Sequence, residues 1–180
     1  MADSEIPIHY VATHRKAVEL VKAHSRYWVS NCGCRETGKG CKRSKTEVCM
    51  SFSEESPGTG SGKREIMLAE VVEILNEAKS KHLVARPFRN DDRTGTEGVC
   101  FCCDDCCAYF LDPKEKCDKG EMIETTDFDS CDQCDLCIDV CHFGARMVSG
   151  GMLKVDREKC YGCGLCADVC PPGAVKTVKR

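Results

Sequence analysis

The amino-acid sequence predicts an α+β fold in two parts, and three features of its 180 residues carry that prediction. A cysteine spacing pattern occurs twice between residues 131 and 174, set among short stretches that read as strands. Two longer upstream stretches, 14–28 and 63–83, repeat apolar residues at helical spacing. Eighteen cysteines, one residue in ten, run through both parts. The division expected is a mainly helical, cysteine-rich domain over 1–121 and a smaller domain of cysteine loops and strands over 122–180.

Composition explains why the cysteines must matter to the fold. The hydrophobic share of 42% counts all eighteen of them, and without them only about a third of the chain is apolar, less than a typical globular domain carries. Aromatics make up 6%. So lean a chain struggles to offset its conformational entropy by burial alone, which implies that bound metal fills part of the interior and that its removal unfolds the protein. In a secreted chain this much cysteine would mean disulfides. The opening "MADSEIPIHY" has acidic residues and a proline where a signal peptide needs an apolar run, and no stretch is long enough to span a membrane. A cytoplasmic, reducing setting is therefore expected, and there dense cysteine points to metal.

In the C-terminal part, "CDQCDLCIDVCHFGA" (131–145) and "CYGCGLCADVCPPGA" (160–174) are one pattern repeated at an offset of 29 residues. In each, cysteines are spaced x2, x2, x3, and Gly-Ala follows after two more residues. Three thiolates from one tight loop can hold three irons of a cubane, and the fourth iron needs a more distant thiolate. Zinc, the alternative, prefers four ligands in two separated pairs. This run resembles the bacterial ferredoxins with two [4Fe–4S] clusters, in which the fourth cysteine of each run ligates the other cluster. The resemblance implies that Cys131, Cys134 and Cys137 with Cys170 hold one cluster, and that Cys160, Cys163 and Cys166 with Cys141 hold the second. Pro171 fits that pattern, while His142 stands where proline would be usual. Strands are expected at 122–126, 145–149, 152–156 and 174–178, with Gly150-Gly151 turning a hairpin, giving a ferredoxin-type dicluster fold.

Upstream, the helix at 14–28 would present Ala17, Leu20, Val21, His24, Tyr27 and Trp28. The one at 63–83 would present Met67, Val71, Ile74, Leu75 and Ala78. Between and after them lie Cys32, Cys34, Cys41 and Cys49, then "VCFCCDDCCAY" (99–109) with Cys100, Cys102, Cys103, Cys106 and Cys107. Adjacent cysteines tend to point apart, so Cys102–Cys103 and Cys106–Cys107 could serve two neighbouring sites. The order of these cysteines resembles a region found before ferredoxin modules in poorly characterised iron–sulfur proteins of anaerobes. The nine thiolates could hold one or two further [4Fe–4S] clusters, up to four in the chain, with zinc, a mixed site or disulfides as alternatives. Cys117 belongs to no grouping and reads as a free thiol.

Other signals are weaker. "PGTGSGKR" (57–64) lacks the first glycine of a phosphate-binding loop, has Arg64 in place of its hydroxyl residue, and reads as a flexible loop with no bound nucleotide. "CKRSK" (41–45), with Arg35 and Lys39, could be a nucleic-acid patch, but cations balancing nearby thiolates are the better reading and no nucleic-acid partner is expected. The five histidines have no metal-ligand spacing, and no dinucleotide fingerprint is present.

Residues 1–98 carry 16 basic and 14 acidic side chains, and residues 99–180 carry 10 and 15. Asp127, Asp129, Asp132, Asp135 and Asp139 crowd the first cysteine loop, and cluster charge would add to theirs. An acidic face of this kind attracts a basic redox partner. The expected function is a multi-cluster electron-transfer shuttle or subunit serving a redox partner or larger oxidoreductase complex, with no catalytic residue of its own. A reductase with a catalytic N-terminal cluster and a redox- or zinc-sensing interaction protein are the alternatives.

Overall fold

The computed structural model describes residues 6–38, 40–56, 58–112 and 114–180. In chain order the first part comprises β1 (His9–Tyr10), α1 (His14–Lys22), β2 (Tyr27–Asn31), α2 (Gly33–Thr37), β3 (Glu47–Ser51), β4 (Arg64–Ile66) and α3 (Leu68–Ser80). It continues through β5 (Val84–Arg89), β6 (Thr96–Cys102), α4 (Ala108–Leu111) and β7 (Cys117–Asp118). The seven strands form one sheet in the order β4-β2-β3-β6-β5-β1-β7, antiparallel except for the β1–β7 pair.

This corrects the expectation of a mainly helical N-terminal domain. The helical pattern over 14–28 stops at Lys22, and Tyr27, Trp28 and Val29 enter β2, paired on one side with β4 and on the other with β3. Aromatic and β-branched side chains suit a pleated, buried surface, and sheet pairing overrides the local period. The pattern over 63–83 is likewise cut at its start, where Arg64–Ile66 form an edge strand before α3 begins at Leu68. Thr13 caps α1 by accepting from the Lys16 N–H at 3.1 Å.

The alternation of β6 gives the sheet two distinct faces. Val99 and Phe101 point to a core with Ala17 and Val21 of α1 and with Val71, Ile74 and Ala78 of α3. Cys100 and Cys102 point the other way, where they meet Cys49, Val48 and Phe88.

The second part comprises β8 (Met122–Thr126), α5 (Leu136–Asp139), β9 (Arg146–Ser149), β10 (Met152–Val155), α6 (Leu165–Asp168) and β11 (Val175–Lys179). β9 and β10 form a hairpin turned by Gly150 and Gly151, whose φ angles of 65° and 77° are cheap only for glycine. β8 pairs antiparallel with β11, joining the two ends of this part. The two parts pack directly: Val11 and Val84 share a buried cluster with Val140 and Leu165. His142 bonds to the His82 carbonyl at 2.9 Å, and the Gly120 N–H donates to the Tyr161 carbonyl at 2.9 Å. His142, the residue that departs from the ferredoxin pattern, is thus part of the seam. No helix among the described residues is long and apolar enough to cross a membrane.

Candidate metal centres

In the C-terminal part, Cys141, Cys160, Cys163 and Cys166 line one recess, closed by Val140, Phe143 and Tyr161. The loop holding three of them turns at Gly162 and Gly164, with φ of 78° and 81°. A Cβ on Gly162 would lie 1.9 Å from the Met122 carbonyl oxygen, so the loop touches the sheet backbone there. Burial pushes Cys163 up to about 12 and Cys166 up to about 11, the second against the pull of Arg146. A bound cation must therefore displace protons from these thiols. Four cysteines around one recess, lined also by Glu124, Arg146 and Thr177, are a donor set that suits a cubane.

The other four sulfurs of the repeat are not drawn together in the same way. Cys137 is buried and accepts a hydrogen bond from Arg146 Nη1 at 3.2 Å. Cys131 opens on a separate shallow cavity beside Phe128 and Leu153, Cys134 is exposed, and Cys170 is half-buried.

The nine upstream cysteines divide six and three. Cys32, Cys34, Cys49, Cys100, Cys102 and Cys107 cluster on the face of the sheet opposite α1 and α3, with Cys49 and Cys100 sulfurs 3.7 Å apart. Cys34 interacts with Cys32 and Cys107, and Cys107 with Cys102, so the six form a chain of neighbours. Cys41, Cys103 and Cys106 gather at the rim of the helical face with Asp105. The structure therefore separates Cys102 from Cys103 and Cys106 from Cys107, one member of each pair going to each group. Cys117 lies half-buried on β7, where burial pushes its thiol up to about 12 against the pull of Arg86.

Each group holds a buried arginine, and sequence reasoning missed two of the three. Arg86 sits 3.1 Å from Cys107 Sγ and 3.8 Å from Cys102 Sγ, with its guanidinium stacked 4.7 Å from the Tyr109 ring centre. Arg146 meets Cys137 and also pairs with buried Glu124 at 2.6 Å. Arg35 donates to the Phe101 carbonyl at 3.0 Å, to the Lys45 carbonyl, and to Cys103 Sγ at 4.0 Å. All three are at least 96% buried, so Arg35 lies beside the thiols of the Cys103 group rather than on the surface. Lys39 lies outside the described residues, while Arg43 and Lys45 pair with Asp104 and Glu77. Nothing in "VARPFR" marks Arg86, because its place opposite the cysteine string depends on the pairing of β5 with β6. Lys63 of the glycine-rich loop is spent on the carbonyls of Ser53, Glu54 and Ser56, and Pro57 at that loop's start is outside the described residues.

Residues 153–176 match the family model of the 4Fe-4S binding domain. The match takes in Cys160, Cys163, Cys166 and Cys170 and leaves residues 131–145 outside it. No curated protein and no solved structure matches the chain. The matched domain and the cysteine groups support an iron–sulfur, metal-binding chain with an electron-transfer role.

Proposed function

We propose that this chain relays single electrons to or from an oxidoreductase partner through three [4Fe–4S] clusters. Cys131, Cys134, Cys137 and Cys170 would hold one, and Cys141, Cys160, Cys163 and Cys166 a second. Four of the six thiols Cys32, Cys34, Cys49, Cys100, Cys102 and Cys107 would hold the third. Such clusters supply one-electron exchange when bound.

The observation that carries this reading is an aromatic seam between two of the sites. Tyr109 and Phe110 follow Cys107 after Ala108 and pack on the six-thiol group. Phe110 lies 5.2 Å from Phe143, and Phe143 stacks on Tyr161 at 4.5 Å, with both of those rings lining the C-terminal recess. Tyr109 itself meets Tyr161 at 6.0 Å. The partly buried rings run continuously from one thiol group to the recess of the other, which supports a relay over a pair of independent zinc sites.

The residues of the chain have separable tasks in this reading. Arg86 and Arg146 offset thiolate charge and donate hydrogen bonds to sulfur, which tunes cluster potential. Asp127, Asp129, Asp132, Asp135 and Asp139 are exposed around Cys134, beside exposed Phe128 and Leu136. That face combines negative charge with apolar contact area and suits a basic docking patch on the partner.

Anaerobically purified protein should carry about twelve irons and twelve acid-labile sulfides per chain. After dithionite reduction its EPR spectrum should show spin coupling. A count near eight, with the six-thiol group free to alkylation, would remove the third site and the relay with it.

A further inference from the structure

We propose that Cys41, Cys103, Cys106 and Asp105 form a mononuclear zinc site, separate from any cluster in the chain. Among the described residues this is the set of His, Cys, Asp or Glu ligand atoms that all lie within 4.8 Å of one another. Cys103 Sγ stands 3.5 Å from Cys41 Sγ and 3.4 Å from Cys106 Sγ. Asp105 Oδ1 stands 3.7 Å from Cys41 Sγ and 2.7 Å from Cys103 Sγ. A tetrahedral ion with Zn–S bonds of about 2.3 Å places its sulfurs roughly 3.8 Å apart, close to this spacing.

The donor set is complete and oriented. Cys103 and Cys106 supply the x2 spacing common in zinc sites, and Cys41 arrives from a distant loop. The second oxygen of Asp105 is taken by the Lys42 N–H at 2.8 Å, which leaves Oδ1 turned toward the thiols as a single-oxygen ligand. Three thiolates and a carboxylate around a dication leave two excess negative charges, and buried Arg35 beside Cys103 offsets one of them. Four donors leave no open position, so the ion is structural. It ties the 40s loop to the end of β6, from which Cys102 and Cys107 reach the other group.

This inference stands apart from the electron-transfer reading, and the two fail separately because zinc reports on one and sulfide on the other. Full-length protein purified anaerobically is analysed for zinc, iron and sulfide, for the wild type and for Cys41→Ser. The wild type should hold one zinc per chain, and Cys41→Ser should lose it with iron and sulfide unchanged. Absence of zinc from the wild type overturns the proposal, as does a loss of about four irons and four sulfides in the variant. If Cys41→Ser does not fold, Asp105→Asn decides. It should release zinc to a competing chelator roughly tenfold faster or more, the scale on which even supporting groups act at metal sites. An unchanged release rate overturns the four-donor assignment.

Discussion

Arg146 is where a single side chain joins the proposed cluster chemistry to fold stability. Its guanidinium binds Cys137 Sγ, Glu124 and Thr126 together, wholly inside the protein. Arg146→Met should cost about 3 kcal/mol, because breaking a buried ion pair strands the remaining charge. Only half-exposed Arg157, 2.9 Å from the other Glu124 oxygen, would be left to answer it. Anaerobic urea denaturation followed by circular dichroism measures that loss. Protein-film voltammetry should show one cluster potential moving down, since a donor to sulfur is gone; unchanged potentials would remove the tuning role. His9 makes a second prediction. Burial, and then Arg86, push it down to about 4, with Cys34 opposing. The unfolded chain takes up that proton near 6.5, so the stabilising effect is complete above that pH and fades as pH falls toward 4. The loss reaches up to about 3 kcal/mol. His9→Gln should flatten the acid limb of the stability curve over pH 6.5–4 relative to wild type. Neither Arg146 nor His9 stands out in the sequence, because a thiolate selects its counter-charge through space. The cysteines did stand out, because their repeated spacing is legible along one loop.

Elements carried the clearest signals where each was short and bounded by its own turn chemistry. The C-terminal strands fall within a residue of their expected places because Gly150-Gly151 and the repeated loops leave the chain few alternatives. Gly162→Ala tests that economy. Its Cβ would strike the Met122 carbonyl in a left-handed backbone region, and strain of that kind costs about 1–3 kcal/mol before any clash is counted. Reduced iron content with the six-thiol group still loaded is the expected result. Upstream, the helical periods overrun α1 and α3, and β2 and β4 overlap their flanks. An amphipathic period cannot show where a strand partner lies thirty residues away. α3 still earns its place in the core: Ile74→Ala should destabilise the protein by about 3 kcal/mol through the cavity it opens beneath the sheet. A melt unaffected by that change would mean that metal, rather than the helical face, carries the N-terminal fold.

At the scale of the whole molecule, the helical face is a conventional core and the opposite face is filled largely by thiols, while the C-terminal part sets Cys137 and Cys160 among a small apolar core of Val140, Leu153, Leu165 and Val175. Stripping metal with acid or a strong chelator should abolish the near-UV signal and the cooperative melt of the C-terminal part first, since its apolar core is small and eight cysteines surround it. An apo-protein with native circular dichroism and a sharp transition would contradict that. Association with a basic redox partner should weaken steeply as ionic strength rises, because the acidic face around Cys134 is solvent-exposed. Sequence alone determined the ligand-rich loops, their pseudo-repeat and the strands beside them, since local spacing dictates which sulfurs one loop can present. It also raised the possibility that paired cysteines face apart. Only the tertiary structure decided that the upstream thiols divide six and three across a sheet, that buried arginines sit among them, and that aromatic rings close the seam between the two parts. Those outcomes depend on which strands pair, and pairing is an agreement between distant segments that no single stretch of the chain records.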